Sequence, residues 1–164
     1  MNLPFFKRRV VPVLAICVIA LLLAVLPRLD ALFFDKARYA QCSALVAHDP
    51  AAALAFARTW RKSHPASPLS WHCEAVALFA ARDYANAATM FLALGTEVAA
   101  TNPSLATRLF VQGAQAYKAA KQPNSAKQAA ASALLLEPGN AEAKVLLTEL
   151  ARENFSIGAP GNKR

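Results

Sequence analysis

The stretch WHCEAVALFAARDYANAATMFLAL, residues 71–94, decides the fold of this chain. Its apolar residues recur at spacings of three and four on both sides of Arg82-Asp83, the sets being Trp71, Ala75 and Leu78 before it and Ala87, Phe91 and Leu94 after it. Side chains at these spacings share one face of an α-helix, so the stretch predicts two antiparallel helices joined by a tight turn. Such a hairpin cannot bury its own apolar faces, and neighbouring helices must stack on it.

Prolines that follow a capping side chain predict further helices on both sides of this hairpin. Asp, Ser and Asn are favourable N-caps, and Pro is tolerated at the first helical position. Such pairs occur at Asp49-Pro50, Ser67-Pro68 and Asn102-Pro103. We therefore expect helices over about 31–47, 50–62, 68–81, 103–120 and 123–136, a final helix capped by Asn140, and a frayed tail over 154–164.

The composition agrees with an all-α domain. Hydrophobic residues make up 56% of the chain and charged residues only 17%, which is too apolar for a disordered protein. Lys7, Arg8, Arg9, Lys163 and Arg164 contribute five of the net +8 charges, so the rest of the chain carries 8 − 5 = +3. A nucleic-acid-binding protein gathers its basic residues into a stripe, whereas here they are scattered among acids. The charge pattern argues against nucleic acid as a partner.

The N-terminal 26 residues predict a membrane anchor. Residues 1–9 carry Lys7, Arg8 and Arg9, and residues 10–26 form a run of 17 residues without a charge. A helix of this length is close to the minimum that spans a bilayer core, at about 1.5 Å per residue. Positive residues stay on the cytoplasmic side, so we expect a single-pass protein of a bacterial inner membrane with the remainder in the periplasm or otherwise outside the cytoplasm.

Two other interpretations of this run are open. A cleaved signal peptide would need small residues before the cut, whereas the exit of the run carries Leu26 followed by Pro27. A buried core helix would leave the three cations at its end unexplained. We therefore prefer an uncleaved transmembrane signal-anchor over 10–26.

Residues 71–94 resemble the tetratricopeptide repeat, a helical hairpin of about 34 residues with the pattern W-x2-L-G-x2-Y, then A-x3-F, then P. Trp71 takes the Trp place, Ala75 the small-residue place and Leu78 the Tyr place, and Ala87 with Phe91 forms the A-x3-F pair. The resemblance implies an α-solenoid of about three such hairpins over residues 31–153, ending in a capping helix.

The chain also departs from this pattern. Glu74 stands where Leu is usual, and the closing Pro is displaced to Pro103. A following unit has Gly113 in the small-residue place and Pro138 at its end, and a degenerate unit covers about 36–65. The spacing of the family is thus better kept than its individual residues.

The resemblance implies a scaffold or adaptor, because repeats of this family hold a peptide in the concave groove lined by their first helices. We expect a membrane-anchored protein that binds a partner protein or peptide and helps to assemble a complex of the cell envelope. A structural subunit of a larger membrane complex, without peptide-binding activity, is the alternative. The family has no catalytic residues and no cofactor to carry over, so we expect no enzyme activity.

The repeat register predicts which side chains line the groove. We set the small-residue place of each repeat at Gln41, Ala75 and Gly113. The side chains that then face inward are Arg38, Cys42, Leu45, His72, Val76, Phe79, Phe110, Ala114, Tyr117 and Lys118. Aromatic side chains beside cations would suit an apolar peptide that carries an acidic group. For Phe79 and Phe110, packing between repeats is the competing interpretation.

Two groups of residues that contain cysteine are candidate sites. His72-Cys73-Glu74 has metal-ligating side chains, but consecutive helical residues point about 100° apart and cannot converge on one ion, so we expect no metal site. Cys42 and Cys73 are 31 residues apart, are the only cysteines beyond the anchor, and would lie on adjacent first helices of the family. An oxidising compartment would favour a disulfide between them. Two buried free thiols are the alternative.

Overall fold

A computed structural model describes residues 34–158 of the chain. The chain divides into two compact units, Met1–Arg38 and Tyr39–Arg164, and the described part of the first, residues 34–38, is helical. The predicted anchor over 10–26 lies outside the described residues. Among the helices within them, none is both long and apolar enough to cross a membrane.

Within residues 34–158 the regular structure is entirely helical, as the composition predicts. The predicted boundaries of the second, third, fifth and sixth helices agree with the observed boundaries within one residue. The last helix continues five residues past position 153, so the first part of the predicted tail over 154–164 is helical. The helices in chain order are α1 (34–48), α2 (Pro50–Ser63), α3 (Pro68–Ala80), α4 (Tyr84–Val98), α5 (Pro103–Ala119), α6 (Pro123–Leu136) and α7 (Ala141–Gly158).

Side-chain caps start several of these helices. The Oδ1 atom of Asp49 accepts a hydrogen bond from the backbone N–H of Ala52 at 2.9 Å. Asn102 caps α5 in the same way at 3.1 Å, and Asn140 caps α7 at 2.9 Å. Each bond satisfies a backbone N–H that lacks a partner in the first helical turn, which fixes the start of the helix.

The turns after α3 and α5 share one backbone geometry. Arg82 and Lys121 adopt left-handed φ angles of 64° and 57°. After α5, the N–H of Lys121 donates to the carbonyl of Lys118 at 3.0 Å and that of Gln122 to Tyr117 at 2.9 Å. This pattern is the Schellman motif, in which glycine is the favoured left-handed residue. Both turns therefore carry a side chain where the backbone conformation favours none.

Replacing the left-handed residue by glycine should stabilise the protein. We expect Lys121→Gly to raise the free energy of unfolding by about 0.5–1 kcal/mol, because the Cβ atom that opposes the left-handed conformation is removed. The matched control is Lys127→Gly, the same exchange inside α6, which should lower it by about 1 kcal/mol. Urea unfolding of the two variants measures both effects, and a loss of stability in Lys121→Gly would contradict the account of this turn.

Consecutive helices from α2 to α7 pack on one another in chain order, and α5 also contacts α7. Short connections make such neighbours antiparallel. Much of the core is alanine, which allows the backbones to approach closely. At Gly113 of α5 there is no room for a side chain, since a Cβ atom added there would lie 2.0 Å from Cδ1 of Leu92. The small-residue place in the repeat register thus coincides with a tight contact between α4 and α5.

Glu74, the residue that departs from the repeat pattern, is a buried and paired carboxylate. It is 4% exposed and accepts a hydrogen bond from Nε of Arg61, while Nε of Arg58 lies 3.5 Å from its second oxygen. The Arg61 guanidinium in turn lies 4.9 Å from the ring centroid of Trp71. A buried charge is tolerated when it is paired and hydrogen-bonded, so these contacts explain how Glu74 occupies a core position between α2 and α3.

A disulfide joins Cys42 of α1 to Cys73 of α3, with Cα atoms 6.2 Å apart. Both residues are buried, in a cluster that contains Ala53, Ala57 and Trp60 of α2. The bond thus links two helices that are not neighbours in sequence and encloses α2 in the loop between them.

Reduction of this disulfide should destabilise the protein. Closing a loop of 31 residues restricts the unfolded chain by an amount worth about 3–4 kcal/mol. We expect the melting temperature of the full chain to fall in dithiothreitol and that of Cys42→Ser to be insensitive to it.

The thiol count checks the same bond directly. The chain has three cysteines, so denaturation without reductant should expose 3 − 2 = 1 reactive thiol, and denaturation with prior reduction three. Three reactive thiols in the unreduced protein would show that the bond is not formed.

Candidate peptide-binding groove

Two open depressions lie side by side across the odd-numbered helices α3, α5 and α7. The first has a volume of about 170 Å³ and is lined by Val76, Phe79, Phe91, Gln112 and Gln115. The second has a volume of about 480 Å³ and is lined by Gln115, Lys118, Ala119, Glu142, Val145, Leu146 and Glu149. Because Gln115 borders both, the two depressions form one surface, which we call the groove.

Side-chain hydrogen bonds connect the helices that form this surface. The hydroxyl of Tyr39 on α1 lies 2.8 Å from Nδ1 of His72 on α3, and Nε2 of His72 lies 3.2 Å from Oε1 of Gln112 on α5. The carbonyl oxygen of Gln112 can only accept, so the imidazole carries its proton on Nε2 and accepts from Tyr39 at Nδ1. One neutral histidine thus bridges α1 and α5.

A second pair of contacts joins α5 to α7. Nε2 of Gln115 donates to Oε1 of Glu142 at 2.7 Å, and Nζ of Lys118 pairs with Oε2 of Glu149 at 2.7 Å. Higher numbers on α5 pair with higher numbers on α7, so the two helices run in the same direction. The floor of the groove is therefore the row of helices α3, α5 and α7, linked through polar side chains.

Burial sets the proton affinity of the central histidine. The His72 ring packs edge-on against Phe91, with centroids 5.7 Å apart. Desolvation lowers the pKa of His72 below its usual 6.5, and the hydrogen bond to Gln112 opposes part of this shift. Desolvation also raises the pKa of Tyr39 above its usual value. Both side chains are thereby held in their neutral, hydrogen-bonded forms near pH 7.

The lowered pKa of His72 predicts acid sensitivity. In the unfolded chain the imidazole takes up a proton as pH falls below about 6.5, whereas the folded state takes it up only at lower pH. Folding therefore releases a proton in this window, and the free energy of unfolding should fall as pH drops. His72→Gln should flatten this part of the pH profile, while His48→Gln, at an exposed position of α1, should leave it unchanged. Equal slopes for all three proteins in chemical denaturation would contradict the assignment.

The structure places several predicted groove residues on the surface described here. Val76, Phe79 and Lys118 line the two depressions, and Phe79 is 37% exposed. His72 is half-buried and lines neither depression, but its imidazole is hydrogen-bonded to Gln112, which does. Tyr117 is half-buried and packs against the core rather than lining either depression. Arg38 is the last residue of the first compact unit and is not assigned to this surface.

Phe110, Ala114 and Cys42 are corrections to the predicted register. Phe110 is 8% exposed, and a Cβ atom at Gly95 of α4 would lie 3.0 Å from its ring. Ala114 is fully buried in a cluster with residues of α6 and α7, and Cys42 is buried at its disulfide. The reason for the first two is that α5 contacts α4, α6 and α7, so only a narrow strip of α5 is left for the groove.

Sequence reasoning predicted Lys118 of this strip but missed Gln112 and Gln115. The three residues follow at intervals of three along α5, but uncharged amides are common on any solvated helix face. Glu142, the partner of Gln115, is 27 residues from it in the chain. The spacing was visible in the sequence, whereas the pairing across helices was not.

Comparison with protein-family models, with curated proteins and with solved structures found no match to this chain. Among the described residues, no group of three or more His, Cys, Asp or Glu side chains lies close enough to hold a metal ion. The groove combines aromatic and aliphatic side chains with amides and charges on a rigid helical floor. These are the elements of a peptide-binding surface.

Proposed function

We propose that this chain is a membrane-anchored scaffold of tetratricopeptide-like repeats that binds a peptide segment of a partner protein in its groove. The observation that carries the proposal is the open apolar depression of Val76, Phe79 and Phe91, bordered by the amides of Gln112 and Gln115. Apolar side chains supply the area that a ligand buries, and the fixed amides supply orientation.

The groove is short, which sets how such a scaffold works. It spans three helices, α3, α5 and α7, so the area buried by a peptide is small and its affinity modest. An anchor in the same membrane as the partner would raise the local concentration and offset a weak contact. This is why we join the predicted anchor over 10–26 to the proposed binding activity.

The disulfide supports a location outside the cytoplasm. Structural disulfides persist in oxidising compartments such as the bacterial periplasm and are rare in the cytosol. The Cys42–Cys73 bond links two helices of the repeat domain. We therefore propose that the repeats face the periplasm, where the partner belongs to an envelope complex.

Peptide selection tests this function on the full chain held in detergent micelles. A phage-displayed library of random octapeptides should yield binders on the wild type. Phe79→Ser should weaken the selected peptides about tenfold, since truncating a buried aromatic anchor costs on the order of 1.4 kcal/mol. Competition binding of a selected synthetic peptide measures the change.

The matched control is Leu135→Ser. Leu135 is 84% exposed on α6 and lines neither depression, so its loss should leave binding unchanged. A wild type that selects no peptide at all, with circular dichroism showing an intact helical domain, would favour the alternative, a structural subunit without peptide-binding activity.

A further inference from the structure

The two glutamines of the groove present opposite hydrogen-bonding groups to a ligand. Gln112 uses its carbonyl oxygen on His72, which leaves its NH₂ group as a donor. Gln115 uses its NH₂ group on Glu142, which leaves its carbonyl oxygen as an acceptor. Both side chains line the first depression. A donor and an acceptor held one helical turn apart match the C=O and N–H of an extended peptide, whose main chain is not bonded to itself.

The second depression, which is lined by α5 and α7, carries a net charge. Its ionisable side chains are Lys118, Glu142 and Glu149, which sum to 1 − 2 = −1. Lys118 and Glu149 pair with each other at 2.7 Å. Glu142 makes no ion pair with any side chain that the structure describes, and its carboxylate accepts only the neutral amide of Gln115. Lys144 and Arg152 line an adjoining depression of α7, which shares Val145 and Glu149 with this one but is not lined by Glu142.

The apolar side chains and the charge lie on different helices. Val76 and Phe79 belong to α3 and Phe91 to α4, whereas Glu142 belongs to α7. A ligand that contacts both must therefore cross α5, whose Gln115 borders both depressions.

We infer that the groove recognises an extended segment in which a Lys or Arg side chain lies at a fixed distance in sequence from an apolar side chain. The apolar side chain enters the Val76–Phe79–Phe91 depression, the main chain bonds to Gln112 and Gln115, and the cation pairs with Glu142. This inference rests on the proposed function and names the chemistry of its ligand. It replaces the acidic ligand expected from the sequence, because the cation of Lys118 is already paired with Glu149.

The test is the same octapeptide selection on the full chain, read by sequencing the enriched peptides. The wild type should enrich Lys and Arg several-fold at a fixed distance in sequence from an aromatic or aliphatic residue. Glu142→Gln keeps an oxygen that can accept from Gln115 but removes the charge, so basic residues should return to their frequency in the library. Glu142→Lys should enrich Asp and Glu at the same positions. Glu97→Gln, an exposed carboxylate of α4, is the matched control and should select as the wild type does.

Three results would overturn the inference. Wild-type binders without basic residues would show that no ligand cation pairs with Glu142. Basic residues still enriched on Glu142→Lys would show that the ligand cation binds elsewhere. Apolar residues at helical spacings of three and four would replace the extended ligand by a helix. In each case peptides that lose affinity on Phe79→Ser would leave the proposed binding function intact, whereas a wild type that enriches nothing would end both.

Discussion

Close approach of the helices through alanine is the constraint on which the rest of this structure depends. Of the buried hydrophobic residues that the structure describes, more than half are alanines, which contribute little area each but allow the backbones to come together. The consequence for the groove is direct. Alternate helices lie near enough for one imidazole to reach from α3 to both α1 and α5, and for one amide to reach from α5 to α7.

The helix boundaries could be predicted from the sequence, whereas the side of α5 that faces the core could not. Helix boundaries depend on local chemistry, and Asp49-Pro50 and Asn102-Pro103 carry both the cap and the proline within two residues, so these starts were predictable. Which side of α5 is buried depends on how many helices surround it. Because α4, α6 and α7 all contact it, Phe110 became core although its place in the repeat register pointed inward.

Pairing between distant residues explains the remaining difference at the groove. The sequence does not indicate a partner for Lys118, whereas in the fold Glu149, 31 residues away in the chain, lies 2.7 Å from it. Glu74 shows the converse, since a carboxylate in a core position is unfavourable unless cations such as Arg58 and Arg61 of α2 lie beside it. Single-residue patterns describe which face a side chain occupies, but the charge of a surface follows from its pairs.

Photocrosslinking in living cells tests most directly whether a partner binds on the face formed by α3, α5 and α7. A photoreactive amino acid in place of Gln115, which borders both depressions, should yield a discrete adduct with a partner protein. The same amino acid in place of Leu135, exposed on α6, should yield none. Adducts that form from position 135 and not from position 115 would contradict the account.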